Sequence, residues 1–143
     1  MKAKEYLNQI RDCKNQINLD LRRIDELREY ATSMGTKELK QDIVQTSIKN
    51  AGLEDMVGKI VDCERAVRDE IRAYLNLQEF IIAQIRGLEG GEMSVTYIEL
   101  LTRRYVQFER FEVISVEMGY SYEWIRHLHG DALAIFEKQY LEN

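Results

Sequence analysis

Histidine and cysteine are the residue types that most often perform catalysis or bind metals, and their spacing in this chain favours neither role. His127 and His129 lie two residues apart, about 200° around a helix, so they cannot both reach one metal ion. No serine–histidine or cysteine–histidine pair is placed for nucleophilic catalysis, and no glycine-rich loop follows a strand pattern to hold a phosphate. The sequence therefore predicts a protein that is not an enzyme and that has no cofactor and no metal.

The composition of the chain limits the kinds of partner it can bind. It has 143 residues, of which 45% are hydrophobic, and a formal net charge of −5, so it can bury a core but cannot coat nucleic acid through a positive surface. Any contact with DNA must therefore be local.

No apolar run approaches the ~20 residues of a membrane span, and the N-terminal MKAKEYLNQIRDCK is charged where an export signal is apolar. Cys13 and Cys63 lie on apolar stripes and are predicted to be buried free thiols, which indicates a soluble cytoplasmic protein with no membrane partner.

Two long heptad patterns predict an all-α protein. Proline is absent and glycine is sparse, which favours long helices over strands with tight turns. Apolar residues recur every seven positions from Ala3 to Ala31 and again from Leu53 to Leu88, and each run predicts one helix. The simplest arrangement is a long antiparallel, coiled-coil-like hairpin over residues 1–89, with Ala31 opposite Leu53, which would also serve for oligomerisation.

The connection between these helices and the far end of the second one give two further expectations. The stretch Thr32–Gly52 is rich in glycine, serine, threonine and asparagine, so we expect a long connection with about one helical turn. The second helix is longer than the first and stays apolar from Ile81 to Leu88. Either a homodimer, which we favour, or the C-terminal part of the chain folding back would cover this end.

Two glycines mark a predicted domain boundary. Gly90 and Gly91 would end the second helix and form a flexible linker over residues 90–93. Ser94 would then cap the next helix. We therefore expect the residues after the linker, 94–143, to fold as a separate domain.

Three short helical patterns come after the linker: Ser94–Tyr105, Phe111–Met118 and Tyr122–Leu141. Gly119 comes just after the second and Ser121 just before the third, which is typical of a tight turn between two crossing helices. The inward positions predicted to form the core are Leu100, Leu101, Tyr105, Ile114, Met118, Ile125, Leu128 and Ala132. This pattern predicts a helix-turn-helix domain.

The stretch RRYVQFERFEVISVEMGYSYEWIRHLHGDALAIFE resembles the promoter-binding region 4 of sigma-70-type factors. The matching elements are Arg104-Tyr105, Ile114, Met118-Gly119, Ser121, Ile125-Arg126 and Ala132-Leu133. Over nearly its full length the chain also resembles a phage and prophage family of transcriptional regulators from Gram-positive bacteria, similar to the late-gene regulators of the RinA and ArpU type. The resemblance implies a regulator that binds double-stranded promoter DNA in the cytoplasm of a bacterial host cell, with RNA polymerase as a second candidate partner.

The resemblance also implies which residues would contact DNA. The recognition helix would begin after Ser121, and its groove-facing residues would be Tyr122, Glu123, Trp124, Arg126 and His127. In the major groove, Glu123 would accept a hydrogen bond from a cytosine amino group and Arg126 would reach guanine. The residues expected to hold phosphates are Arg103, Arg104 and Arg110.

Charge sets this domain apart from the sigma factors it resembles. Tyr122 and Trp124 stand where those factors place arginine, and residues 94–143 contain five Arg and Lys against eight Asp and Glu. Phosphate neutralisation supplies much of the affinity for DNA, so the domain alone is expected to bind weakly. A homodimer or attachment to RNA polymerase would supply the remaining affinity.

Two other functions fit the same pattern. The helix-turn-helix could contact RNA polymerase or another host protein without reading DNA, with Tyr120, Tyr122 and Trp124 as an aromatic anchor. The chain could also be a DNA-packaging component similar to a small terminase subunit, a class that combines such domains with helical oligomerisation segments. Trp124 has a simpler alternative role at the rim of the domain core.

Overall fold

The computed structural model describes the backbone of residues 1–38 and 43–142, and the side chains of residues 1–34 and 52–142. The structure is 89% helical, and the described residues form no strand, which confirms the predicted all-α class. The described ranges form five α-helices: α1 (Ala3–Glu38), α2 (Ile43–Arg86), α3 (Ser94–Leu101), α4 (Phe111–Met118) and α5 (Tyr122–Phe136). A short 3-10 turn, Gly91–Met93, precedes α3, and single π turns at Thr102–Val106 and Glu137–Leu141 extend α3 and α5.

The two long helices extend further than the sequence predicts. The predicted connection Thr32–Gly52 is wrong wherever the structure describes it, because residues 32–38 continue α1 and residues 43–52 belong to α2; residues 39–42 lie outside the described part. A single glycine costs a helix only about 1 kcal/mol, and each residue added to an existing helix gains a backbone hydrogen bond. With no proline to stop them, both helices therefore continue into this polar stretch from either side.

By its internal contacts the chain divides into two compact units, to which both long helices contribute. We call Met1–Lys14 with Tyr74–Asn143 the five-helix unit, and Asn15–Ala73 the two-helix unit. The predicted division at residues 90–93 does not coincide with this one.

In the two-helix unit, α1 and α2 bury one line of apolar side chains. These are Ile17, Ile24, Ile60 and Val67. Arg28 pairs with Glu64, whereas the predicted register would have placed Met56 there, so the register is shifted by about one heptad. Successive heptads present nearly the same apolar stripe, so the pattern alone could not fix their alignment.

In the five-helix unit, the ends of α1 and α2 share one core with α3, α4 and α5. Its wholly or almost wholly buried apolar side chains are Ala3, Leu7, Ile10, Ile81, Ile85, Leu88, Tyr97, Leu100, Leu101, Tyr105, Ile114, Ile125, Leu128, Ala132 and Phe136. The predicted domain core is thus confirmed, except that Met118 is only partly buried. Of the two ways to cover the apolar end of α2, the structure shows the C-terminal part of the chain doing so.

The segment around Gly90 and Gly91 is hydrogen-bonded and closely packed. The Gly90 N–H donates to Ser94 Oγ at 2.8 Å, and Ser94 Oγ donates to the Gly91 carbonyl at 2.9 Å. A Cβ on Gly90 would lie 2.7 Å from the ring of Tyr97, so only glycine fits there. The prediction that Ser94 is the N-cap is therefore wrong. Ser94 is the first residue of α3 and its side chain stabilises the preceding turn, while Met93 takes the N-cap position.

Cys13 and Cys63 are free thiols, and each is partly buried, less completely than the sequence suggested. Among the helices of the described ranges, none combines the length and the hydropathy that crossing a bilayer would require.

Candidate functional site

The turn between α4 and α5 is built by one glycine and one serine, as predicted. Gly119 takes the left-handed conformation (φ 74°, ψ 30°), which lets the Tyr120 N–H reach back to the Ser115 carbonyl at 3.0 Å. Ser121 is extended, and its Oγ accepts a hydrogen bond from the Trp124 N–H at 3.1 Å. This local chemistry fixes where α5 begins, and therefore which of its side chains face outward.

The first turns of α5 present one exposed face and one buried face. The residues on the exposed face are Tyr122, Glu123, Trp124, Arg126 and His127, the five that the resemblance assigns to the DNA groove. Ile125 and Leu128 point the other way and are buried in the core. Trp124 is 45% exposed, so it is a surface residue rather than part of the core rim.

Planar side chains organise this exposed face. Trp124 and His127 stack with ring centroids 5.2 Å apart and an interplanar angle of 24°. The Arg126 guanidinium carbon lies 5.9 Å from the Tyr122 ring centroid, and His127 Nε2 lies 3.4 Å from Asp131 Oδ2. Pairs three or four residues apart on a helix each add only about 0.2–0.5 kcal/mol, but together they restrict the rotamers of the face before any partner binds.

The three arginines expected to hold phosphates have different surroundings. Arg103 is paired with Glu99 at 3.1 Å and Glu109 at 3.2 Å, and hydrogen bonds to Glu109 and then Glu99 raise its pKa. Arg104 donates to the Glu109 carbonyl at 3.0 Å and lies 4.2 Å above the ring of Phe111. Arg110, the N-cap residue of α4, is exposed. Of the three, Arg110 is therefore best placed to meet a phosphate, and Arg103 is already neutralised by its own chain.

A partly buried histidine lies behind this surface. His129 Nε2 and the Tyr105 hydroxyl are hydrogen-bonded at 2.7 Å, and the Phe111 ring meets the imidazole edge-on at 4.8 Å. Burial, followed by the positive charges of Arg104, Lys4 and Arg126, lowers the pKa of His129 to about 4. Burial also raises the pKa of Tyr105 to about 12, so both groups are neutral at pH 7.

Sequence reasoning considered His129 only as a metal ligand and missed this role. The available signal was its position four residues after Ile125 and next to Leu128, at the edge of the buried stripe of α5. Within the described ranges, no three His, Cys, Asp or Glu side chains are grouped to hold a metal ion.

The loop before α4 contains a second feature that the sequence did not indicate. Phe108 has a positive φ of 59°, a conformation that costs a bulky residue about 1–3 kcal/mol. Two cations of α1 lie over its ring: Lys14 Nζ is 4.8 Å and the Arg11 guanidinium carbon 5.7 Å from the centroid. The beginning of α1 therefore packs beside the segment that leads into α4.

Comparison with protein-family models, with curated proteins and with solved structures found no match for this chain. A function for the chain must therefore be inferred from its fold and from the chemistry of the exposed face of α5.

Proposed function

We propose that this chain is a phage-type transcriptional regulator that binds promoter DNA, with α4 and α5 as its helix-turn-helix and α5 as the recognition helix. The observation that supports the proposal most directly is the exposed face of α5. All five side chains from Tyr122 to His127 that would read DNA point to solvent, while Ile125 between them anchors the helix in the core.

The chemistry of this face fits base readout in the major groove. Arg126 offers two parallel N–H donors to guanine, and Glu123 offers an acceptor to the cytosine amino group. Tyr122 and Trp124 would make apolar contacts with thymine methyl groups and sugars. Arg110, at the start of α4, would hold a backbone phosphate and so orient the helix pair on the duplex.

The two long helices would form the predicted antiparallel hairpin, which would bind RNA polymerase or a second copy of the chain. The apolar end of α2 from Ile81 to Leu88 is covered within the five-helix unit, so a homodimer would need another surface. Exposed apolar side chains of α2 in the two-helix unit, among them Val57, Val61 and Ile71, could provide it.

Selection of binding sites from random DNA by the full-length protein at low salt tests the proposal. Fluorescence anisotropy would then compare the selected duplex with a scrambled one. Arg126→Ala should weaken binding to the selected duplex by about 1–3 kcal/mol and leave binding to the scrambled duplex unchanged. Lys138→Ala removes an exposed positive charge from the turn that follows α5, at the far end from Arg126, and is the matched control. Equal affinity of the wild type for both duplexes would contradict base readout.

The phosphate contacts can be tested with a second pair of variants. Arg110→Ala should weaken binding to all sequences alike and reduce the slope of log affinity against log salt by about 1. Arg103→Ala should instead lower the free energy of unfolding by about 1 kcal/mol and leave that slope unchanged, because its charge is already paired with Glu99 and Glu109. A slope that falls only with Arg103→Ala would reverse this assignment.

A second candidate function is a protein-interaction factor that contacts RNA polymerase without reading DNA. Its support is three exposed aromatic side chains around the start of α5, Tyr120, Tyr122 and Trp124, which are 39%, 40% and 45% exposed. Retention of purified bacterial RNA polymerase that is lost in Trp124→Ala, together with no selected DNA site, would favour it. A ring-shaped oligomer in a solution-mass measurement would instead favour the DNA-packaging alternative.

A further inference from the structure

We propose that the beginning of α1 forms a second part of the DNA-contacting surface, in which Lys4, Arg11 and Lys14 bind phosphates of the same duplex that α5 enters. This inference rests on the proposed function and adds a backbone-binding element that lies outside the helix-turn-helix. These contacts would not depend on base sequence, because the cations would bind phosphates of the DNA backbone.

The position of these cations is the first argument. Arg11 and Lys14 lie over the ring of Phe108, at 5.7 and 4.8 Å, and Phe108 is two residues before Arg110 at the start of α4. A guanidinium stacked on an aromatic ring can keep its N–H donors in its own plane, and an ammonium has three donors, so neither contact uses all the donors of its cation. Lys14 is exposed and Arg11 partly exposed, which leaves both heads accessible.

The second argument is that cations from three elements act on one imidazole. The positive charges of Lys4 in α1, Arg104 in the turn after α3 and Arg126 in α5 each lower the pKa of the partly buried His129. Lys4 is therefore close enough to the recognition helix to act on the same imidazole as Arg126.

The spacing within α1 is the third argument. Positions 4, 11 and 14 are separated by seven and three residues, so Lys4, Arg11 and Lys14 share one side of the helix. The nearby acids Glu5 and Asp12 are each offset by about 100° from the cation that precedes them.

Charge balance is the fourth argument. Residues 94–143 contain five Arg and Lys against eight Asp and Glu, too few cations for a helix-turn-helix to hold DNA by itself. Residues 1–14 contain four Lys and Arg against two Asp and Glu. The five-helix unit as a whole is net negative, and the beginning of the first helix is where it carries a local excess of positive charge.

Salt-dependent anisotropy of the full-length protein on its selected duplex and on a scrambled one tests the inference. The variant Lys4→Ala/Arg11→Ala/Lys14→Ala should reduce the salt slope by about 2–3 and weaken binding to both duplexes alike, on the order of 100-fold near 0.1 M salt. The single variant Lys14→Ala should reduce the slope by about 1, and it serves if the triple variant fails to fold.

The matched control makes the same change in charge within the two-helix unit. Arg22→Ala/Arg23→Ala/Lys59→Ala removes three exposed cations and should leave the slope unchanged. If the control lowers the slope as much as the α1 variant does, net charge alone is responsible and the inference is overturned. If the wild type binds DNA and responds to Arg126→Ala, but the α1 variants leave the slope unchanged, the inference fails while the proposed function stands. If the wild type binds no DNA even at the lowest salt, the proposed function fails and the inference fails with it.

Discussion

The two compact units use the same pair of helices and bury them to different extents. In the two-helix unit the buried apolar side chains are Ile17, Ile24, Ile60 and Val67, and each keeps 3–9% of its surface exposed. In the five-helix unit, large side chains such as Leu7, Ile81 and Phe136 are completely buried. The heptad pattern alone therefore buries a single line of side chains between the two long helices. Complete burial requires the three short helices to pack against them.

The two units also differ in the kind of ionisable group that they hold. The five-helix unit holds a neutral histidine, His129, among aromatic rings. The two-helix unit holds two carboxyl groups together: a hydrogen bond to Asp20, then burial and the Asp20 charge, raise the pKa of Glu70. Acid should therefore weaken the five-helix unit and favour the two-helix unit. Two of the four predictions below test this difference, and the other two test packing and backbone conformation.

The largest effect is expected from emptying the core of the five-helix unit. Phe136→Ala removes a completely buried ring that packs on Tyr6 and Tyr140, and should lower the free energy of unfolding by about 3–5 kcal/mol. Ile60→Ala in the two-helix unit should cost about 2 kcal/mol, because its site is open at the edge and can relax. Urea unfolding followed by circular dichroism measures both. Equal losses would show that the two units are packed equally well.

The second effect is an acid-dependent loss of stability in the five-helix unit. The pKa of His129 is about 4 in the folded chain against an ordinary 6.5, so the unfolded chain binds more protons and stability falls as the pH drops from about 6.5 to 4. The expected loss is about 2 kcal/mol between pH 7 and pH 4, because the partial exposure of the imidazole screens its charge. Unfolding measured across this range should show that His129→Gln removes this component.

His127→Gln is the control for that measurement, since His127 is exposed on the same helix. It should not remove the acid-dependent loss of stability that His129→Gln removes. If His127→Gln flattens the curve as much as His129→Gln does, the imidazole of His129 is not the cause.

The third effect compares two glycines, one that has a positive φ and one that lies within a helix. Gly119→Ala places a side chain at φ 74° in the turn before α5 and should cost about 1–2 kcal/mol. Gly58→Ala lies within α2, where an added Cβ meets nothing within 4 Å, and should stabilise the chain by about 0.5–1 kcal/mol. Thermal unfolding of the two variants should shift in opposite directions, and a destabilised Gly58→Ala would mean that α2 is not a regular helix there.

The smallest effect is expected at the carboxyl pair. One oxygen of Glu70, Oε2, is buried without a hydrogen-bond partner in the described part of the chain. Because the folded pKa is raised, the stabilising contribution is present at low pH and is lost as the pH rises through that pKa. Glu70→Gln should therefore stabilise the chain at pH 7 by a few tenths of a kcal/mol and have no such benefit near pH 4. Destabilisation at pH 7 would show that the carboxylate has a favourable partner.

The short helices were predictable because their signals are local. Gly119 and Ser121 define the turn through their own backbone and side chain, and the 3.6-residue period identifies Ile125 and Leu128 as buried. The exposed face of α5 results from the same period. The resemblance to sigma factors and the DNA-binding roles stay predictions.

The errors concern features that local pattern does not determine. Heptads look alike, so neither the register at Arg28 and Glu64 nor the inclusion of Leu7 in the C-terminal core could be deduced from spacing. The positive φ of Phe108 could not be predicted, because glycine and asparagine are the residue types that usually adopt it. Here the surrounding structure imposes it on a phenylalanine. The pairing of Arg103 was partly visible in Glu99, four residues earlier, while the contribution of Glu109 depends on how the loop folds.

Residues from the two ends of the sequence meet in the five-helix unit, and this sets an order for its assembly. The Ala3 N–H donates to Glu137 Oε2 at 3.2 Å across 134 residues of sequence. A ribosome therefore completes Ala3, Leu7 and Ile10 long before it produces the helix that covers them, and their apolar stripe stays exposed until α5 has been made. The candidate DNA-reading face, whose helix closes this core, can take shape only after α5 has been synthesised.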